Sequence, residues 1–596
     1  MSKRFESKNS DSIPFLDLHK ASLAKDLIAS LLILLLLIVF RYRVFANFTT
    51  HVLGGTEADA GLYIWLLQAI PESLGNLPWF SSRAFYPYGL SFAWSDNFFL
   101  PALIAWPFLK TGIAIPAIFN SIILGAAFLS GFLTYRLALM LSGNFFAALF
   151  GASVFLTDPF VAGHLGHPQL QFSFIFPLIS LFYFRYMERP KMLQAFWIGL
   201  AGFLCFLCSV YYAVFASLCV FLLVAALILL RPSYFKFRHY AVLFVGATLG
   251  ALPSLPFIWP YMKVAEAFGE RALHEAFFFS ANLASFVSAP SWSSLYGLSS
   301  AWSHPEANFF PGFIVYILAG LAFYRLFQAK TQREIYSTFG ITFLILCVSF
   351  LPSLQAFSSS YLGSIALWFF ILVFVCLLYA MGQLEKELGV TYFSNRALIG
   401  TFALLAVSAF VLSFGPLAYP EAGEISLSPF RLFYEIFPAF SSLRAIGRIG
   451  ILLHFALIML SVFALSHLSL KWQGFKFCIL PLTLLALIEN NFYTYPLQEI
   501  PARPSILSSL SDYAHKDSAV LFLPMTLEVD SKGKVKSWLD FSKKNINYML
   551  WSIGAEYQVV NGYSGLRSKL MKELPAKTKS FPDEKALIAI KGIAGL

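Results

Sequence analysis

Two carboxylates stand two residues apart at Glu57 and Asp59, in the stretch His51-Val52-Leu53-Gly54-Gly55-Thr56-Glu57-Ala58-Asp59 that follows the first apolar run. Only 12% of the residues are charged, and an ionised side chain beside a membrane segment costs stability unless it is used. A carboxylate held at a membrane surface can take a proton from a substrate hydroxyl as a general base, or it can bind a hard divalent cation. Glu57, Asp59 and Asp96 are the candidate ligands for such a cation, Mg or Mn. After Asp59, residues Leu62, Trp65, Leu66, Ala69 and Ile70 fall on one helical face before Pro71, which predicts an interfacial helix lying along the membrane. Asp59 would sit at its start, where the helix dipole keeps a carboxylate ionised.

The elements that must position these groups are apolar helices. Hydrophobic residues make up 58% of the 596, Phe contributes 66, and the mean hydropathy is +0.71. A spanning helix needs roughly 20 apolar residues, and such runs recur from Leu27 to Asn491. They predict an α-helical polytopic membrane protein of about 13 transmembrane helices: near 27–45, 112–138, 144–157, 168–187, 193–208, 210–230, 240–261, 309–327, 336–351, 363–382, 397–415, 446–468 and 475–491. Residues 1–26 form a polar N-terminal segment and 27–491 the transmembrane domain, with long loops at 46–111, 262–308 and 416–445. Loops on the N-terminal side carry about twice as many Lys and Arg as the opposite loops, so the N-terminus is expected in the cytoplasm and the long loops outside. The formal charge of +11 is accounted for by this bias and calls for no nucleic acid. The first apolar run lacks a small-residue cleavage site and is expected to stay as an anchor. All six cysteines lie in apolar segments, which suggests neither a disulfide framework nor a zinc site. From 492 to 596 Lys, Asp and Ser return, and strands at 519–524 and 558–563 with a helix from Asp583 to Ile593 predict a small extracytoplasmic α/β domain.

Polar side chains cluster on the predicted outer side: Asp158, His164 and His167 after the third span, and Glu306 before the span at 309. Sugar transfer from a lipid phosphate needs a base for the acceptor hydroxyl and a cation for the departing phosphate. Asp59 or Glu57 suits the first role. Arg271, Arg444 and Arg448 suit the second, because a guanidinium grips phosphate oxygens in a bidentate fork. Each also has a structural reading. Asp59 can cap a helix, a reading that the adjacent Glu57 disfavours, and Arg444 and Arg448 could anchor the next span at the interface. Glu306 is placed to cap the span that follows it. His164 and His167 have near-helical spacing, but Gly163, Gly166 and Pro168 favour a hydrogen-bonded turn over a metal site.

Taken with Phe85-Tyr86-Pro87-Tyr88-Gly89, Gly163-His164-Leu165-Gly166-His167, Pro305-Glu306 to Pro311-Gly312, Phe437 to Arg444, and Val560-Asn561-Gly562-Tyr563-Ser564-Gly565, the chain resembles bacterial multispanning proteins of the GT-C glycosyltransferase superfamily, of the YfhO-like kind. The resemblance implies an inverting transferase of the hexosyltransferase type in the bacterial cytoplasmic membrane. Its donor would be a polyprenyl-phosphate sugar, and its acceptor a glycan, lipid or protein of the envelope. Asp59 is the position matching the family's first-loop base, and some relatives use a divalent metal. Two other classes compete: a transporter or lipid-linked glycan flippase, which would place ionisable residues within the spans and often shows internal repeats, and a scaffold that binds envelope glycans through residues 500–596.

Overall fold

The computed structural model describes residues 22–56, 58–231, 236–269, 273–326, 361–387, 394–416, 428–491, 495–510, 514, 518–525 and 538–593. Glu57, Arg271 and the predicted span 336–351 lie outside them.

A chain this apolar must satisfy its backbone polar groups internally, and helices do so segment by segment. Every predicted span other than 336–351 falls on a helix. Among the described residues, seven helices are long and apolar enough to cross a membrane: Leu23–Phe40, Ile115–Ser142, Phe145–Gly163, Val210–Leu230, Phe237–Phe268, Asn395–Ser413 and Ile446–Lys471. Shorter apolar helices include Met192–Phe206 and Phe313–Leu326, and also Phe99–Lys110, which lies inside the predicted first outer loop. The chain is thus a multi-pass membrane protein. Its centre is the helix Gly450–Lys471, buried without interruption from Gly450 to Ser466 and packed against Asn395–Ser413, Phe313–Leu326 and Phe145–Leu156. Its periphery is Leu23–Phe40, which buries only Ala29, Ile33 and Leu37. These are one stripe at i, i+4, i+8, and the stripe faces Ile115–Ser142.

The first loop departs from its prediction. The helix Ala58–Ser73 exists, and Pro71 sits inside its last turn. It is no interfacial helix with an open polar face, however, since Leu62 to Leu67, Ala69 and Ile70 are all buried. Tyr63, Ile64 and Leu67 are apolar and lie off the predicted face, so they need cover as well. They find it between Phe99–Lys110 and the C-terminal helix Trp538–Trp551.

The C-terminal segment is tied to this loop by backbone. His51–Leu53 pairs antiparallel with Leu497–Glu499. Ala519–Val520 pairs parallel with Gln558–Val559, and Ala84 of the first loop bridges to Val559. The predicted strands are therefore present but only two residues long. The predicted last helix runs Glu584–Lys591, with Asp583 accepting from Ala586 N at 2.7 Å.

Candidate functional site

Asp59 is placed by three fixed points. Asn120, near the start of Ile115–Ser142, donates from Nδ2 to Phe48 O at 3.1 Å and His51 O at 2.8 Å and accepts from Leu53 N at 2.9 Å. Gln498 Oε1 accepts from Thr56 N and Thr56 Oγ1, each at 3.0 Å. Gly54 has φ +94°, and a Cβ there would stand 2.1 Å from Leu165 O. Only glycine lets the loop close to this distance, and the closure lays the Asp59 loop against the turn that carries His164 and His167.

That turn follows the short helix Pro159–Gly163. Its start is capped by Asp158, whose Oδ1 accepts from Val161 N at 3.0 Å. The other Asp158 oxygen lies 2.7 Å from His454 Nδ1, and His454 Nε2 lies 3.0 Å from Phe309 O, with both side chains fully buried. The pair thus ties the 158–167 turn to the loop before Phe313–Leu326, where Glu306 resides.

Glu306 is the hub. Arg448 donates to it bidentately, Nε to Oε2 at 2.9 Å and Nη2 to Oε1 at 3.0 Å. His164 Nε2 lies 3.2 Å from Oε2 and His167 Nε2 3.4 Å from Oε1. Gly447 permits this approach, because a Cβ there would meet Phe279 O at 2.7 Å and Glu306 O at 3.0 Å. Burial pushes the Glu306 carboxyl up, but the Arg448 guanidinium, His167 and the hydrogen bonds from His164 and Arg448 overcome it and hold it well below the usual carboxylate range. His167 moves the other way. Burial lowers its imidazole to about 4, aided by Arg448 and His164 and opposed by Glu306 and Asp59.

Asp59 completes the cluster. Its Oδ2 lies 3.3 Å from His167 Nε2, and its Oδ1 accepts from the Tyr563 hydroxyl at 3.0 Å. The Asp59 and His167 side chains are 27% and 26% exposed, whereas Glu306, Arg448 and His164 are 10%, 4% and 3%. The open face of the cluster therefore consists of Asp59 and His167.

The other predicted residues sort by partner. Arg448 is no anchor at a water interface, since its charge is spent on Glu306 and its guanidinium stacks 4.6 Å from the Tyr211 ring. Arg444 is half-buried over Phe279, 5.0 Å from the ring centroid, and among the described residues no carboxylate pairs with it. Its charge opposes the upward shift of the Tyr563 phenol. Glu306 does not cap the following span. Glu489 does so, accepting from Phe313 N at 3.1 Å and Ile314 N at 3.0 Å. Asp96 accepts from Ser209 Oγ at 2.9 Å, Asn97 N at 2.9 Å and Val210 N. Burial raises its carboxyl to about 6 against these bonds.

Among the described residues no group of three or more His, Cys, Asp or Glu is arranged to hold a metal ion. Asp96 has its oxygens committed to a helix start, Arg448 holds both Glu306 oxygens, and Glu57 lies outside the described residues. Tyr563, His454 and Glu489 are the participants that the sequence reading did not assign. Tyr563 lies in the Asn561-Gly562-Tyr563 turn, and His454 is a lone imidazole in an apolar run.

No family model and no curated protein matches this chain. Among solved structures it is similar to the oligosaccharyltransferase of Archaeoglobus fulgidus in the apo form, with a TM-score of 0.47 and 13% identity over 96% of this chain and 68% of that one. It is also similar to the archaeal oligosaccharyltransferase AglB from the same organism in complex with an inhibitory peptide and a dolichol-phosphate, with a TM-score of 0.46 and 14% identity over 96% and 68%.

Proposed function

We propose that this chain is a membrane glycosyltransferase that moves a sugar from a polyprenyl-phosphate donor to an envelope glycan, lipid or protein on the outer face of the cytoplasmic membrane. Asp59 is the general base. The observation that carries this reading is the asymmetry of the charged cluster: a sealed Glu306–Arg448–His164 core supports an open carboxylate at Asp59, and Arg444 has no carboxylate partner among the described residues.

In the step, the acceptor hydroxyl gives its proton to Asp59 as its oxygen bonds to the anomeric carbon. The bond from that carbon to the phosphate oxygen breaks, and the polyprenyl phosphate leaves with the electron pair. His167, held by Glu306, orients the carboxylate through Oδ2. Arg444 offers the leaving phosphate a guanidinium fork.

The test is Asp59→Asn in purified, reconstituted protein. Transfer from a polyprenyl-phosphate sugar falls by about 10²–10⁴-fold, the usual contribution of a positioned base, while the melting temperature holds. Unchanged turnover removes Asp59 from the mechanism. Labelling of Asn76→Cys, an exposed position of the same loop, from the cytosolic side alone would overturn the outward orientation.

A further inference from the structure

Tyr563 makes a contact that the proposed reaction does not use. It lies in the C-terminal segment, 504 residues from Asp59 in sequence, and the turn that bears it is clamped. Asn561 exchanges two hydrogen bonds with Phe522, Phe522 N to Oδ1 at 2.7 Å and Nδ2 to Phe522 O at 3.0 Å. First-loop backbone closes the other side, with Phe85 N donating to Asn561 O at 3.3 Å and Tyr86 N to Val559 O at 3.0 Å. Tyr563 itself is 8% exposed. The turn fixes the Tyr563 backbone, and the hydroxyl donates to Asp59.

The geometry at the carboxylate is that of a base and its substrate. A general base must lie about 2.6–3.2 Å from the oxygen whose proton it takes, and the phenol oxygen stands 3.0 Å from Asp59 Oδ1. The second carboxylate oxygen faces His167. An incoming hydroxyl therefore finds His167 on one oxygen and Tyr563 on the other. Burial and the neighbouring Asp59 charge push the Tyr563 phenol well above its usual range. It keeps its proton and does not become a nucleophile.

Resting on the reading of Asp59 as base, we propose that Tyr563 is a specificity-determining residue that occupies the acceptor-hydroxyl position on Asp59 and so keeps water from serving as the acceptor. A true acceptor, bound along the seam between the first loop and the C-terminal segment, displaces the phenol. Water has no further contacts with which to do so. The reaction held in check is hydrolysis: water gives a proton to Asp59, its oxygen bonds to the anomeric carbon, and the phosphate leaves with the electron pair, yielding free sugar and polyprenyl phosphate.

The experiment uses the full chain in lipid vesicles with polyprenyl-phosphate glucose, galactose or mannose and no acceptor, and reads free-sugar release. Removing a hydrogen bond to a charged acceptor frees Asp59 for water by about 10–100-fold, so Tyr563→Phe releases sugar that much faster than the wild-type chain. Tyr563→Leu moves the same way, and Asp59→Asn combined with Tyr563→Phe returns release to background. A merely structural tyrosine would slow release when replaced. Asp59-dependent release that Tyr563→Phe leaves level or lowers overturns the placeholder while the base reading stands. Absence of Asp59-dependent turnover in every protein and with every donor overturns both.

Discussion

The bidentate pair between Glu306 and Arg448 sets a measurable energy. Arg448→Met leaves the Glu306 carboxylate, 10% exposed, with only His164 at 3.2 Å and His167 at 3.4 Å. Glu306→Gln leaves the Arg448 guanidinium, 4% exposed, against a neutral amide and the Tyr211 ring. Removing one partner of a buried pair costs about 3–5 kcal/mol, because the survivor is a desolvated, unpaired charge. The Glu306→Gln, Arg448→Met double variant buries no such charge, and replacing both members of a pair is often close to neutral. The double-mutant cycle should therefore give a coupling of about 3 kcal/mol or more, with the double variant more stable than either single. Reversible unfolding of the detergent-solubilised chain, followed by tryptophan fluorescence, measures all four corners. Transfer activity should be lost in the Glu306→Gln and double variants, because the carboxylate that holds His167 is gone. Stabilities that add to within about 0.5 kcal/mol would show that the two side chains do not share this bond, and the hub would then be drawn wrongly.

Other outcomes follow from the same geometry. His167 is depressed to about 4, so between pH 6.5 and 4 the unfolded chain binds a proton that the folded chain does not, and stability falls on acidification. Asp96, raised to about 6, has the opposite sign between pH 6 and 3.8 and offsets that loss. Asp96→Asn should expose a Tm that drops steeply from pH 6.5 to 4, His167→Asn one that rises, and equal profiles in both would refute the assignment. Gly447→Ala should cost at least about 2 kcal/mol as an overpacked site and lower transfer, since the 2.7 Å approach to Phe279 O must open. Arg444→Gln should raise the KM for the polyprenyl-phosphate donor about tenfold or more, in proportion to a lost charge-assisted hydrogen bond, with Tm unchanged. Loss of Tm without a KM effect would make Arg444 a structural cation.

The parts of this site that the sequence reveals are those governed by scarcity. In a chain with few charges, Asp59, His164, His167 and Glu306 stand out, and the structure brings them into contact with one another, as polar groups in apolar surroundings require. Helix existence was legible for the same reason, because long apolar runs have only one way to satisfy their backbone. The missing information concerns partners distant in sequence. Nothing local to Ala58–Ser73 says that the C-terminal helix Trp538–Trp551 covers it, and so an all-round buried helix reads as an interfacial one. Glu489 caps a helix 176 residues before it, a partner that nothing near Glu306 in sequence discloses, so capping and chemistry stay balanced for Glu306 in the sequence alone.

Charge balance carries the same lesson to the two arginines. Arg444 and Arg448 lie four residues apart and look equivalent in sequence as phosphate ligands, yet an arginine already forked onto a buried carboxylate has no net charge to offer a phosphate. Which of the two is neutralised depends on the approach of Gly447 to the Glu306 backbone, a contact between segments 141 positions apart in sequence. The 3₁₀ turn Ile446–Ile449 carries Arg448 inward to Glu306, while Arg444, before that turn, stays at the half-open surface over Phe279. The site thus separates one cation that is paired with Glu306 from one that remains able to meet an anion, and the separation is made by backbone geometry with residue type held constant.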